Sequence, residues 1–169
     1  PQNVTQKLLG ATETPRRKET ATYVFACKEA PLKRARLLLN TEYGEGNHKI
    51  LHVHVPTLLH GSDSHLVVAT VIGEDSRLHE HKSEQKKIRT ELINWFGSDA
   101  KDWSFIGTTY VDYALPYGGT TATGRERQSL IQDGIYCIGD HTMHPSVQGT
   151  LRSVERLLEH LEIPIPMKG

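Results

Sequence analysis

The sequence predicts an α+β protein. An antiparallel or mixed sheet with packing helices comes first, and a strand, a loop and a helix belonging to a separate α/β layer follow. Three observations carry this. Residues 49–55 alternate apolar and polar side chains, the period of a half-buried strand, and residues 65–72 are nearly all apolar, as in a central strand covered on both faces. Residues 83–96 set Ile88, Leu92, Trp95 and Phe96 on one helical face. Residues 134–149 read as a short buried strand, a Gly-Asp turn and a small-residue loop; the helix that starts near Ser146 repeats Leu151, Val154, Leu157, Leu158 and Leu161, so one face of it is expected to be buried.

In chain order, residues 2–9 are a short helix candidate ending at Gly10, and the polar residues 11–20, with Pro15, read as a linker. The triplet Arg16-Arg17-Lys18 reads as a solvated loop, since nothing nearby extends it into a basic patch. Residues 21–27 and 35–40 are strand-like, and residues 43–47 form a turn. In residues 49–55, Leu51, Val53 and Val55 are expected on one face and Ile50, His52 and His54 on the other. Ser83 is a candidate N-cap for the helix that Gly97 ends. Residues 103–115 read as one long strand or a strand with a bend, closed by Leu115-Pro116-Tyr117-Gly118-Gly119, and residues 120–132 read as a polar surface loop.

Composition excludes several classes. The chain has 169 residues, with 20 basic and 20 acidic side chains and a formal net charge of zero. Nucleic-acid and anionic-membrane binders carry a basic surplus that is missing here. No apolar run is long enough to span a bilayer, and the start shows no secretory pattern, so an intracellular site is expected, cytoplasmic or organellar. Cys27 and Cys137 sit in apolar, strand-like surroundings and read as two buried free thiols.

Motifs for chemistry are few. The G-x-G at Gly44–Gly46 has Lys49 where a dinucleotide fingerprint needs glycine, and no G-x-G-x-x-G occurs in these 169 residues. His52 and His54 on one strand face lack an evident third ligand and read as a wet sheet face; His79-Glu80-His81 lacks the spacing of a metalloprotease helix. No metal site is expected, and no catalytic acid, base or nucleophile stands at a persuasive spacing. Trp95 and Phe96 read as core rather than as a ligand platform. Tyr110, Tyr113 and Tyr117 are candidates to face a substrate, with packing the commoner role for such residues. The informative stretch is the last one. A strand-loop-helix unit points free N–H groups and the positive end of the helix dipole into a crevice, while Asp140 suits a hydroxyl-bearing, sugar-like partner better than a bare phosphate.

Gly139-Asp140, followed by Pro145-Ser146-Val147-Gln148-Gly149-Thr150-Leu151-Arg152-Ser153, resembles the C-terminal flavin-binding segment of FAD-dependent oxidoreductases of the amine oxidase and phytoene desaturase type. The resemblance is looser upstream. It implies that Asp140, after Gly139, meets the ribityl hydroxyls, and that backbone N–H groups near Ser146, Val147 and Gln148 meet the flavin pyrimidine edge. It further implies a flavoprotein that moves a hydride from a C–N or C–C bond to FAD. Residues 1–11 would end a flavin-domain turn and short helix, 12–115 would be the substrate-domain portion, and 116–169 the return to the flavin domain. Pro1-Gln2-Asn3-Val4 looks like the middle of that fold, so the resemblance implies that the chain is a fragment or a processed piece of a larger fold. The expected partners are then an N-terminal FAD-binding segment, in the same protein or another chain, and a small-molecule substrate. The fragment alone is expected to be inactive and a poor FAD binder. One departure is Val154, where many members carry glycine after the serine; that leaves the close packing of this helix open. The alternative is a non-catalytic interaction module, or a subunit that keeps the fold without flavin.

Overall fold

A computed structural model describes residues 17–46, 48–59, 61, 63–74, 81–116, 130–132 and 134–164. The helix candidate at residues 2–9 and the fragment reading of the start lie outside them. The chain divides into two compact units, Lys18–Ala114 and a second made of Pro1–Arg17 with Leu115–Gly169.

In the first unit the strands are β1 (Arg17–Cys27), β2 (Leu37–Leu39), β3 (Ile50–His54), β4 (His65–Glu74) and β5 (Ser104–Pro116). Among the described residues they form a five-stranded sheet in the order β2-β3-β4-β1-β5, with the ladders β1–β4, β3–β4 and β2–β3 antiparallel. The α+β class expected from the sequence is what the structure shows. One helix, α1 (His81–Phe96), follows β4; it ends at Gly97, whose φ of 84° is open to glycine and whose N–H reaches Ile93 O at 2.8 Å.

The core lies between α1 and one face of the sheet. Ala21, Tyr23, Phe25 and Cys27 of β1, Val67, Ala69 and Val71 of β4, and Ile88 and Leu92 of α1 are buried together, with Trp95 and Phe96 partly buried against them. Phe96 meets Trp103 with ring centroids 5.4 Å apart. Arg89 closes the end of α1. Its guanidinium donates to the carbonyls of Ala100, Lys101 and Trp103 at 3.2, 3.0 and 2.8 Å and lies 5.0 Å from the Phe25 ring centroid.

Several expectations change. The linker read over residues 11–20 ends earlier, because β1 begins at Arg17: Lys18, Glu19 and Thr20 pair with Glu74, Gly73 and Ile72 of β4. A long-range partner makes strand of a polar run that carries no local signal. Only one face of β4 is fully buried; Leu66, Val68, Thr70 and Ile72 are half-buried, since α1 covers the other side. On β3 a bulge between Ile50 and His52 turns Ile50 into the core with Val53, while His52 and His54 share the opposite face.

That bulge is held from the helix. Glu91 of α1 is buried and accepts from Lys49 N at 2.9 Å, Ile50 N at 3.1 Å and Asn40 Nδ2 at 3.0 Å, and Asn40 Nδ2 also reaches Ile50 O at 2.8 Å. Two turns earlier, Glu84 accepts from Lys49 Nζ at 2.8 Å and Lys87 Nζ at 2.7 Å. Burial pushes the Glu84 carboxyl up, but the bonds and charges of the two lysines outweigh it and hold it below the usual carboxylate range. Burial, and then a hydrogen bond with Tyr110, hold the Tyr23 phenol well above the usual tyrosine range.

In the second unit, β6 (Leu130–Gln132) and β7 (Ile135–Tyr136) pair antiparallel, so the end of the expected 120–132 loop is a strand. A 3₁₀ turn at Asp140–Thr142 leads to α2 (Val147–His160). The strand before Gly139 is short and exposed rather than buried: it spans two residues, and Ile135 is half in solvent. Among the described residues no helix is long and apolar enough to cross a membrane.

Candidate functional site

The chain leaves β7 through Cys137 and Ile138 and turns at Gly139, where φ is 141°, a region that favours glycine. Gly139 is fixed at both ends. Its N–H donates to Ser153 Oγ of α2 at 2.9 Å, and its carbonyl accepts from Thr142 N at 3.0 Å and Thr142 Oγ1 at 2.7 Å. Ser153 and Thr142 are both buried. Ser153 Oγ–H itself donates to Thr150 O at 2.6 Å, so the serine ties the helix to the turn.

Ser146 is the N-cap of α2, as the sequence predicts. Its backbone is extended, its Oγ accepts from Gly149 N at 3.0 Å, and its carbonyl accepts from Thr150 N at 3.0 Å. The first N–H groups of a helix have no intrahelical acceptor. Here Ser146 satisfies those of Gly149 and Thr150, which leaves the N–H groups of Val147 and Gln148 at the open end of the helix, where the dipole is positive. The two side chains are exposed, Val147 by 80%. Asp140 opens the 3₁₀ turn, and its carboxylate is 38% exposed.

The expected site residues therefore fall on one short path, with distinct placements. Gly139 is the pivot, Asp140 offers a carboxylate, Ser146 is spent on the cap, and Val147 and Gln148 offer backbone donors. The donor set fits a ligand with hydroxyls at one place and hydrogen-bond acceptors at another, and FAD carries both. Among the described residues the burial expected for α2 is met in part: Val154, Leu157 and Leu158 are half-buried, Leu151 is 55% exposed, and Gly149 and Ser153 are the helix's buried residues. The close approach sought at Val154 occurs at Gly149: a Cβ there would collide with the His144 carbonyl oxygen. A glycine in the first turn of a helical pattern, four residues before a serine, was the signal that marks this small-residue face.

Cys137 and His141 also meet in this turn, with Sγ and Nε2 3.1 Å apart, a pairing that sequence spacing did not suggest. Neither cysteine is in a disulfide; Cys27 is buried, but Cys137 is only half-buried. In the other unit, His52 and His54 lie with ring centroids 6.2 Å apart. Burial, and then the charge of His54, hold His52 below the usual histidine range. Tyr110 is half-buried, and Tyr117 lies outside the described residues. Among the described residues no three His, Cys, Asp or Glu side chains converge as a metal site would need.

No protein-family model matches the chain, and no curated protein matches it. Among solved structures it is similar to the crystal structure of an oxidoreductase from Methanosarcina mazei, with a TM-score of 0.61 and 16% identity over 94% of this chain. At that identity the likeness is one of fold. The chain spans 37% of that protein's length.

Proposed function

We propose that this chain is the C-terminal portion of an FAD-dependent oxidoreductase resembling the amine oxidases and phytoene desaturases. The observation that carries the reading is the turn from β7 into α2, with the pivot at Gly139, the part-exposed carboxylate of Asp140, and the donors of Val147 and Gln148 at the helix front. The fold likeness to an oxidoreductase supports it.

In this reading Val147 and Gln148 N–H groups bind the pyrimidine edge of the flavin, and Asp140 accepts hydrogen bonds from the ribityl hydroxyls. Ser146 and Ser153 keep the helix and the turn in place. When bound, the flavin supplies the hydride chemistry, taking a hydride from a C–N or C–C bond of a small molecule. A dinucleotide-binding segment, from the same protein or a partner chain, holds the pyrophosphate. The exposed Val147 and Leu151 are the apolar surface on which such a segment packs.

Titration of FAD into the protein carrying that segment, followed by flavin absorbance and fluorescence, is the test. Stoichiometric binding is expected, with Asp140→Ala weakening it about tenfold through loss of charge-assisted bonds of about 1.5 kcal/mol. The same exposed apolar side chains also suit a non-catalytic subunit that keeps the fold without flavin. Absence of any flavin uptake selects that second reading.

A further inference from the structure

The two thiols of this chain stand in opposite surroundings. Cys27 is buried, its Sγ donates to the carbonyl of His65 at 3.6 Å, and burial pushes the thiol up. Cys137 is half-buried, at the end of β7, with the imidazole Nε2 of His141 3.1 Å from its sulfur.

The fold builds that contact. A Cβ on Gly139 would fall 2.9 Å from both Cε1 and Nδ1 of His141, so the absence of a side chain there is what lets the ring lie back over the turn. The anchors on Gly139 from Ser153 and Thr142, and the bond from Met143 N to Asp140 O at 3.2 Å, hold the five residues from Cys137 to His141 in one shape. The ring itself is nearly enclosed, 12% exposed. Asp140 Oδ1 lies 3.8 Å from Nδ1, too far for a hydrogen bond. With Nδ1 protonated, Nε2 faces the thiol as an acceptor. A thiol with an imidazole base within hydrogen-bond reach is the arrangement that activates a cysteine nucleophile.

We propose that Cys137 is a modification site, a thiol that His141 activates for oxidation by hydrogen peroxide. His141 Nε2 takes the thiol proton. The thiolate attacks one peroxide oxygen, an S–O bond forms, and the O–O bond breaks. The departing hydroxide takes the proton from the imidazolium and leaves as water. Sulfur loses two electrons to peroxide, and the product is the sulfenic acid. This goes beyond the flavin reading and does not rest on it: no step uses FAD.

The test is carried out on the full chain without FAD. The protein is treated with hydrogen peroxide in the presence of dimedone, which traps sulfenic acid, and adducts are located by peptide mass spectrometry, with glutathione as the reference thiol. Adduct is expected at Cys137 about tenfold faster than for glutathione, with Cys27 unreacted in the same sample. His141→Asn keeps a hydrogen-bonding side chain but cannot take the proton, and is expected to bring Cys137 down to the glutathione rate or below. Wild-type Cys137 reacting no faster than glutathione overturns the proposal, whatever the variant does. An unchanged rate in His141→Asn overturns it as well. Because the assay contains no flavin, its failure leaves the FAD reading standing, and a failed FAD titration leaves this one standing.

Discussion

His52 and His54 stand two residues apart on the face of β3 opposite Val53, and their proximity has a measurable consequence. Burial, and then repulsion from His54, lower the affinity of His52 for a proton in the folded state. Above the ordinary histidine value of 6.5 both folded and unfolded chains hold His52 neutral, so its contribution to stability is present in full. As pH falls below that value the unfolded chain takes up a proton that the folded chain resists, and stability is lost until the lower folded value is passed. Urea midpoints at pH 7.5 and pH 5.5, about one unit either side of the reference, are expected to fall in the wild type and to fall less in His52→Gln. A parallel fall in both would show that other groups carry the pH dependence. At the same scale, the turn at Gly139-Asp140 and the cap at Ser146 were legible because they follow local rules of turn and cap. Cys137 and His141 were not. Their contact depends on the Gly139 backbone angle and on anchors from a helix that lies beyond the turn.

At the scale of elements, what could be read was what local pattern decides. The helix over residues 83–96 shows its apolar face at helical spacing, and α1 runs over His81–Phe96 with Ile88 and Leu92 buried. The strand at 65–72 shows its apolar run, and β4 contains it. What pairing decides could not be read: Arg17–Thr20 become strand through β4, and the bulge reverses the side of Ile50. The same bulge explains a carboxylate in the core. A bulge strands backbone donors, and Glu91 meets two of them, at Lys49 and Ile50. Removing it leaves buried N–H groups without an acceptor. Glu91→Ala is therefore expected to destabilise the protein by about 3 kcal/mol, more than its loss of apolar contact alone would cost. Glu91→Gln, which keeps one acceptor oxygen, is expected to cost less. Thermal melts of the two variants check the order, and equal losses would mean that Glu91 acts through charge rather than as an acceptor.

For the whole molecule, the distribution of buried apolar side chains makes a prediction about which part folds alone. Every buried hydrophobic side chain in the described core, from Ala21 to Trp103, lies within Lys18–Ala114. The described part of the other unit buries Gly149, Ser153 and Thr142 and exposes Ile135, Ile138, Val147 and Leu151. A helix of this length is marginal without tertiary packing, and an isolated two-stranded ladder is no better. The segment 18–114 has a sheet, a covering helix and a length at which a single core suffices. Expressed by itself, it is expected to unfold cooperatively in urea with the midpoint of the full chain. Trp95 and Trp103 both lie in it, so tryptophan fluorescence reports on that unit in either protein. The segment 115–169 alone is expected to show no cooperative transition by circular dichroism. If the flavin reading proposed above holds, it should gain one when supplied with a dinucleotide-binding segment that packs on Val147 and Leu151. A shallow, non-cooperative unfolding of 18–114 would mean that its sheet depends on residues outside it, and the two units would then have to be treated as one folding body.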